Sequence, residues 1–283
     1  MKIGMINIAL ELFNNGKFKN INNVLDLGTK ELRVSYDQLK FAFDQTKFKF
    51  DKKKFSKLKT FPKGKRISTS IFWKELGIRN YKCSDINNVK SKYYIDLNYP
   101  IKNKKLLNSF DLVADFGNNE HVFNVGEAYK SMYNLCKKDG FIWIFQSVYN
   151  GNGFFNFDIS FFEGYAAANN LSVVYSCYLI HTSDYQQFVV PCDKELLNSF
   201  DLSKVKSINI SYIFRKKTNN NFKYYYQYNY NNNQSPFKIS FVKSEIPAEK
   251  IYIPTKSISE LKKLAKKGNK ASIDWLRAVG KKI

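Results

Sequence analysis

The alternation of apolar and polar positions divides the chain into short strands and helices. Residues 5–13 have mixed apolar spacing that predicts a short helix, closed by Asn15-Gly16. Ile21-Asn22-Asn23-Val24-Leu25-Asp26-Leu27-Gly28 reads as a buried strand ending on a glycine. Ser35-Tyr36-Asp37-Gln38 fits a capping box and starts a helix over about 36–45. Thr69 or Ser70 caps a second helix that stops at Gly77. Short strands follow at Tyr81–Ser84, Lys92–Ile95 and Phe110–Asp115. Val125 to Lys137 carries Ala128, Met132 and Leu135 at helical spacing. Asp139-Gly140 turns into the apolar run Phe141–Phe145, which suits a strand buried on both faces. A helix over Phe157–Asn169 and strands over Leu171–Leu179 and Ser207–Phe214 complete the order.

Strands that alternate with helices predict an α/β fold with a largely parallel sheet. Right-handed crossovers then bring the carboxyl ends of the strands to one edge, where ligands bind. Beyond residue 216 the character changes. Residues 218–234 are rich in Asn and Tyr, and residues 257–283 are rich in lysine with scattered apolar positions. This predicts a loop or ragged hairpin followed by short basic helices.

At 283 residues the chain is long enough for a sizeable core without disulfides or a structural metal. Hydrophobic residues make up 44%, which excludes global disorder, and no apolar run is long enough to span a bilayer. Glu11 interrupts the early apolar run, so no signal peptide is expected and the expected location is the cytoplasm. Cys83, Cys136, Cys177 and Cys192 form no CxxC pair, and there are two histidines, so no metal site is expected. The net charge of +22 has two readings: an anionic partner such as nucleic acid, or a lysine-rich composition that accompanies abundant Asn, Tyr, Phe and Ile. The stretch 47–66 interleaves lysine with Phe48, Phe50, Phe55 and Phe61. It suits either phosphate pairing with base stacking or a lid whose rings pack inward.

Candidate chemistry collects at the predicted strand ends. Gly28 lets a ligand approach the backbone after the first strand. Asp85 stands where a carboxylate accepts from ribose hydroxyls. Asp96-Leu97-Asn98 suits an adenine edge, and Asp115-Phe116-Gly117-Asn118-Asn119-Glu120-His121 follows the next strand.

Val24-Leu25-Asp26-Leu27-Gly28-Thr29, Ser84-Asp85-Ile86-Asn87, Ile95-Asp96-Leu97-Asn98-Tyr99-Pro100-Ile101, Phe110-Asp111-Leu112-Val113, Gly117-Asn118-Asn119-Glu120-His121-Val122-Phe123-Asn124 and Gly153-Phe154-Phe155-Asn156-Phe157 occur in that order. This set resembles the class I S-adenosylmethionine-dependent methyltransferases, and within them a bacterial and phage group with a Glu-His-Val-Phe-Asn segment after the fourth strand. The resemblance implies a Rossmann-like seven-stranded sheet, mostly parallel with an antiparallel last strand and helices on both faces. It implies a methyltransferase domain over 1–216 with an insertion at about 30–66, followed by the extension 217–283. It further implies S-adenosyl-L-methionine as cofactor, with Asp26, Gly28 and Thr29 at its methionine end and Asp85 and Ile86 at the ribose. Asp96 and Leu97 would face the adenine, and Asp115, Phe116 and Gly117 would border the transferable methyl.

The sequence departs from that family after Gly28, where Lys30 stands in place of a second glycine. His121 is the candidate base, with Glu120 beside it. A helix-start histidine that orients its neighbours is the other reading. Tyr149, Asn150 and Asn152 are candidate substrate contacts. The expected acceptor is a small molecule or glycan precursor. The alternatives are RNA or other nucleic-acid methylation, and non-catalytic nucleic-acid binding on a degenerate methyltransferase fold.

Overall fold

A computed structural model describes residues 1–28, 30–60, 67–87, 91–182, 186–198, 201–226, 244–246, 248, 251–254, 258–270, 272–273, 276 and 282–283. Thr29, Phe61 and the proposed hairpin around Pro236 lie outside the described residues. The elements run α1 (Ile3–Asn14), β1 (Asn23–Leu27), α2 (Tyr36–Asp44), α3 (Thr69–Glu75), β2 (Asn80–Ser84), β3 (Phe110–Phe116), α4 (Val125–Leu135), β4 (Cys136–Tyr149), α5 (Ile159–Ala168), β5 (Leu171–Thr182), β6 (Gln186–Pro191), α6 (Lys194–Asn198), β7 (Val205–Lys216), β8 (Ile251–Pro254) and α7 (Ile258–Lys266).

One sheet orders these strands β2-β1-β3-β4-β7-β5-β6-β8. β1 pairs in parallel with β2 and β3, and β3 pairs in parallel with β4. β7 runs antiparallel between β4 and β5. This is the expected Rossmann-like arrangement with β7 as the reversed strand, in a sheet of eight strands where seven are expected. Two features differ from the expectation. The strand expected at Lys92–Ile95 is reduced to one parallel bridge, Ser84 to Tyr93. The opposite edge is extended by β6 and β8, the latter from the C-terminal extension. Asp96 and Pro100, together with the tight turn at Asp96–Tyr99, leave the 92–95 segment little room to form a ladder.

Side-chain alternation along the strands builds two cores. Val24, Leu112, Ala114 and Trp143 pack under α1, α2 and α3 on one face. Leu25, Leu27, Val113, Ile142 and Ile144 pack under α4 and α5 on the other. α1 reads apolar nearly all round because it is sunk in the first core, with eight buried residues. α2 starts on the expected capping box, Ser35 accepting from the Gln38 N–H while Gln38 accepts from the Ser35 N–H. In the insertion, Phe55 and Leu58 are buried, Phe50 stacks on Phe55, and the lysines between them are exposed. The rings pack inward against α1, α2 and α3 rather than over the strand tips. All four cysteines are free thiols.

α4 stops two residues before the expected Lys137, because Cys136 already pairs with Phe110 as strand. A buried lysine locks this corner. Lys216 is almost fully buried, and its ammonium donates to Asn108 Oδ1 (2.8 Å), Tyr133 O (2.9 Å) and Cys136 O (2.7 Å). Burial pulls the ammonium below the usual lysine range, but all three protons have acceptors. Lys216→Met would leave those acceptors without donors in a dry site. It is expected to lower the unfolding free energy by about 2–4 kcal/mol, read from urea denaturation.

Candidate functional site

The register of the parallel strands aligns the site. Leu27 pairs with Ser84 on one side and Asp115 on the other. The next residue along each strand therefore puts Asp85, Gly28 and Phe116 in one row across three adjacent tips. Phe116 pairs onward with Phe145 and extends the row to β4. The chain leaves β1 toward β2 and later returns to β3 on the other side. The row thus spans the point where the strand order reverses, the usual crevice for ligands in open α/β sheets.

Gly28 adopts φ +80°, and its N–H donates to Ser84 O at 2.7 Å. A Cβ there would lie 3.1 Å from both Asn118 Oδ1 and Lys30 Nζ, so a side chain is excluded on conformation and on space. Gly117 has φ +75°, and an added Cβ would meet nothing closer than 3.8 Å. It therefore opens onto free space.

That space is a cavity of about 670 Å³. Phe116, Gly117, Phe145 and Lys30 wall it at the strand tips, and Glu120, His121, Asn150 and Asn152 stand on the loops above. Lys2, Arg33 and Ser207 border its far end. The sequence reading thus located Phe116, Gly117, Glu120, His121, Asn150 and Asn152. It missed Lys2, Lys30, Arg33, Ser147, Ser207 and Asn209, which come from α1, the β1–α2 loop, β4 and β7. No local motif marks them; only the fold brings them to one cavity. Tyr149 lies outside the lining, half-buried against the second core.

The remaining candidates sit beside or beneath the cavity. Asp85 follows β2 directly; its Oδ1 accepts from the Asn87 N–H at 2.8 Å, and Ile86 is exposed. Asp96 borders a separate cavity of about 370 Å³ with Tyr94, Tyr99 and Leu106, none of which lines the first, and its Oδ1 accepts from Asn98. Leu97 points into the second core instead of toward a ligand, because it is one of the few apolar groups able to close that corner.

Asp26 and Asp115 are wholly buried under the row. Asp115 accepts from the Asn118 and Asn119 N–H groups at 2.9 and 3.1 Å and from the Gln146 amide. It thereby shapes the loop that carries Gly117. Asp26 Oδ2 accepts from the Tyr81 hydroxyl at 3.0 Å, and that oxygen in turn lies 2.8 Å from Thr69 Oγ1. Asp26 Oδ1 is buried with no hydrogen-bond partner among the described residues. Both acids support the floor rather than face the cavity.

Burial raises the Asp26 carboxyl to about 7, against the pull of Lys30 and Tyr81. Burial also raises Asp115 to about 6, against Lys30 and the two loop N–H groups.

Glu120 is held from two sides. Its Oε2 accepts from the Ser147 N–H at 2.8 Å, and its backbone carbonyl accepts from the Phe155 N–H at 3.3 Å. Its Oε1 lies 3.6 Å from Nε2 of His121, whose ring is nearly half exposed at the cavity wall. Among the described residues no cluster of His, Cys, Asp or Glu could hold a metal ion, and no helix is long and apolar enough to cross a membrane.

No family model matches the chain, and no curated protein matches it either. Solved structures do match in shape. A SAM-dependent methyltransferase from Archaeoglobus fulgidus aligns with TM-score 0.41 at 12% identity over 76% of this chain and 95% of its own. The YcgJ protein of Bacillus subtilis aligns with TM-score 0.36 at 13% identity over 76% and 98%. Phosphoethanolamine N-methyltransferase 2 of Haemonchus contortus, in complex with S-adenosyl-L-methionine, aligns with TM-score 0.34 at 11% identity over 75% and 52%. At such scores and identities they carry no argument about this site, whose description stands on its own geometry.

The raised carboxyls set a pH dependence. The unfolded chain releases the Asp26 proton near pH 4, whereas the folded chain keeps it to about 7. Stability from this group is therefore full at low pH and is lost as pH rises through that window. Asp26→Asn removes the titration. The variant should gain on wild type by up to about 1.4 kcal/mol per pH unit between pH 4 and 7 in urea unfolding, and by nothing further above it.

Proposed function

We propose that the protein is an S-adenosyl-L-methionine-dependent methyltransferase acting on a small-molecule or glycan-precursor acceptor. The row Asp85, Gly28, Phe116 at the reversal of strand order carries the reading, because open α/β sheets receive ligands at such a reversal. The residues fit that cofactor. Asp85 is at the tip of the strand next to Gly28, in reach of ribose hydroxyls. Asp96 and Tyr99 border a second cavity, suited to an adenine. Gly28 is buried behind Asn118 and Lys30, and the Lys30 ammonium supplies a cation for a carboxylate at the methionine end.

Bound there, the cofactor would supply a sulfonium methyl, whose carbon an acceptor lone pair would take in line as the carbon–sulfur bond breaks and S-adenosylhomocysteine leaves. The chain's part is position and proton transfer. Phe116 and Gly117 wall the space beside the methyl and hold acceptor and donor together in the cavity. His121 is the imidazole that takes the proton an acceptor hydroxyl or amine gives up, and Glu120 orients it from a carboxylate fixed by Ser147. Nucleic-acid binding gains no support from the insertion, whose rings are turned into the core.

Calorimetric titration with S-adenosylhomocysteine tests the cofactor site. Wild type should bind saturably, and Asp85→Ala should weaken binding about tenfold or more through loss of a charge-assisted hydrogen bond. A folded wild type that binds neither this compound nor S-adenosylmethionine would sink the reading. Once an acceptor is in hand from labelled-methyl screening, His121→Asn should lower kcat about a hundredfold while leaving cofactor affinity unchanged.

A further inference from the structure

We propose that the acceptor is a small molecule bearing a phosphate or carboxylate, and that Lys2, Arg33 and Lys206 hold its charge. This rests on the methyltransferase reading for what occupies the strand-tip end of the cavity. The opposite end of that cavity is bordered by Lys2, Arg33 and Ser207. The same three residues also line a second cavity of about 240 Å³, together with Lys206, His181 and Gln187. The two spaces are thus contiguous, and cations from α1, the β1–α2 loop and β7 meet where they join.

These cations crowd one another. Desolvation, then Arg33 and Lys206, pulls the Lys2 ammonium below its usual range, and only Glu120 opposes this. Burial, then Lys2 and Lys206, lowers His181 to about 4, so it is neutral and adds no charge. The carboxylates bordering the larger cavity are Glu31 and Glu120, and Glu120 is already committed to Ser147 and His121. Neither Lys2 nor Arg33 has an ion pair among the described residues. All three side chains are exposed, and like charges gathered around one concave space repel one another and draw an anion.

The helix beneath points the same way. Lys2 is the N-cap of α1, its side chain accepts no hydrogen bond from the first turn, and that turn contains no acid. A cation at the positive end of a helix dipole is unfavourable, and an anion there is favourable. Because the cations border two cavities that share lining residues, a small molecule fits better than a polymer.

Calorimetry on the full chain tests this with sn-glycerol 3-phosphate as probe, glycerol and inorganic phosphate as comparators, and S-adenosylhomocysteine in a separate titration. The expected result is saturable binding of glycerol 3-phosphate, tighter than inorganic phosphate, with none for glycerol. The double variant Arg33→Gln, Lys206→Gln should weaken it about tenfold or more while holding S-adenosylhomocysteine as wild type does. No binding in wild type, or equal binding in the variant, overturns the anion site. Equal affinity for inorganic phosphate overturns the acceptor assignment, since nothing beyond the anion is then recognised. A short single-stranded RNA bound through Arg33 and Lys206 in preference to the probe overturns the small-molecule assignment. Glycerol 3-phosphate bound without S-adenosylhomocysteine overturns the methyltransferase reading instead.

Discussion

The parallel pairing of β1 with β2 on one side and β3 on the other is the constraint on which the site depends. Parallel strands carry their tips forward together, so residues separated by tens of positions in the chain arrive level at one edge. A slip of one residue in either pairing would turn Asp26 and Leu27 to opposite faces and empty both cores. The burial of Val24 on one side and Leu25 and Leu27 on the other therefore fixes the register, and the register fixes Gly28 beside Asp85 and Phe116. Core packing is what positions the candidate chemistry.

Electrostatics beneath the row follow from the same geometry. Asp26 shares a face with Val24 and must go into the first core, where its carboxyl meets Tyr81, while Asp115 ends β3 and turns back to its own loop. Two buried acids near one another favour at least partial protonation, and Lys30 offsets that by standing above both. A glycine at position 30 would leave these acids without their nearest cation. The lysine is then less a defect in a glycine-rich turn than a counter-charge for the floor, and it still presents its ammonium to the cavity.

Much of this was legible in the sequence, for identifiable reasons. Apolar runs closed by Gly28, Ser84, Asp115 and the Phe141–Phe145 segment marked the parallel strands, since buried strands have little other composition open to them. Gly117 and His121 could be found because they directly follow such a run. The strand expected at 92–95 is reduced to one bridge because alternation does not report the turn at Asp96–Tyr99 that closes the segment. β6 and β8 were missed because their partners are each other and β5, a long-range arrangement with no local turn signature. Leu97 and Asp115, expected at the ligand from the resemblance, both have buried side chains, Leu97 in the second core. Lys2 and Arg33 carried no signal at all, because only the packing of α1 on the sheet brings them together.

The net charge of +22 illustrates the difference between amount and location of charge. The lysines at 47, 49, 52, 53, 54, 57 and 59 are all exposed, while Phe55 between them is buried. Each such ammonium is solvated at little cost and selects no partner. Lys2, Arg33 and Lys206 are exposed too, but they are few and border two cavities that share lining residues. The free energy of a charge depends on its surroundings more than on its number, so three crowded cations constrain the ligand more than the whole surface does.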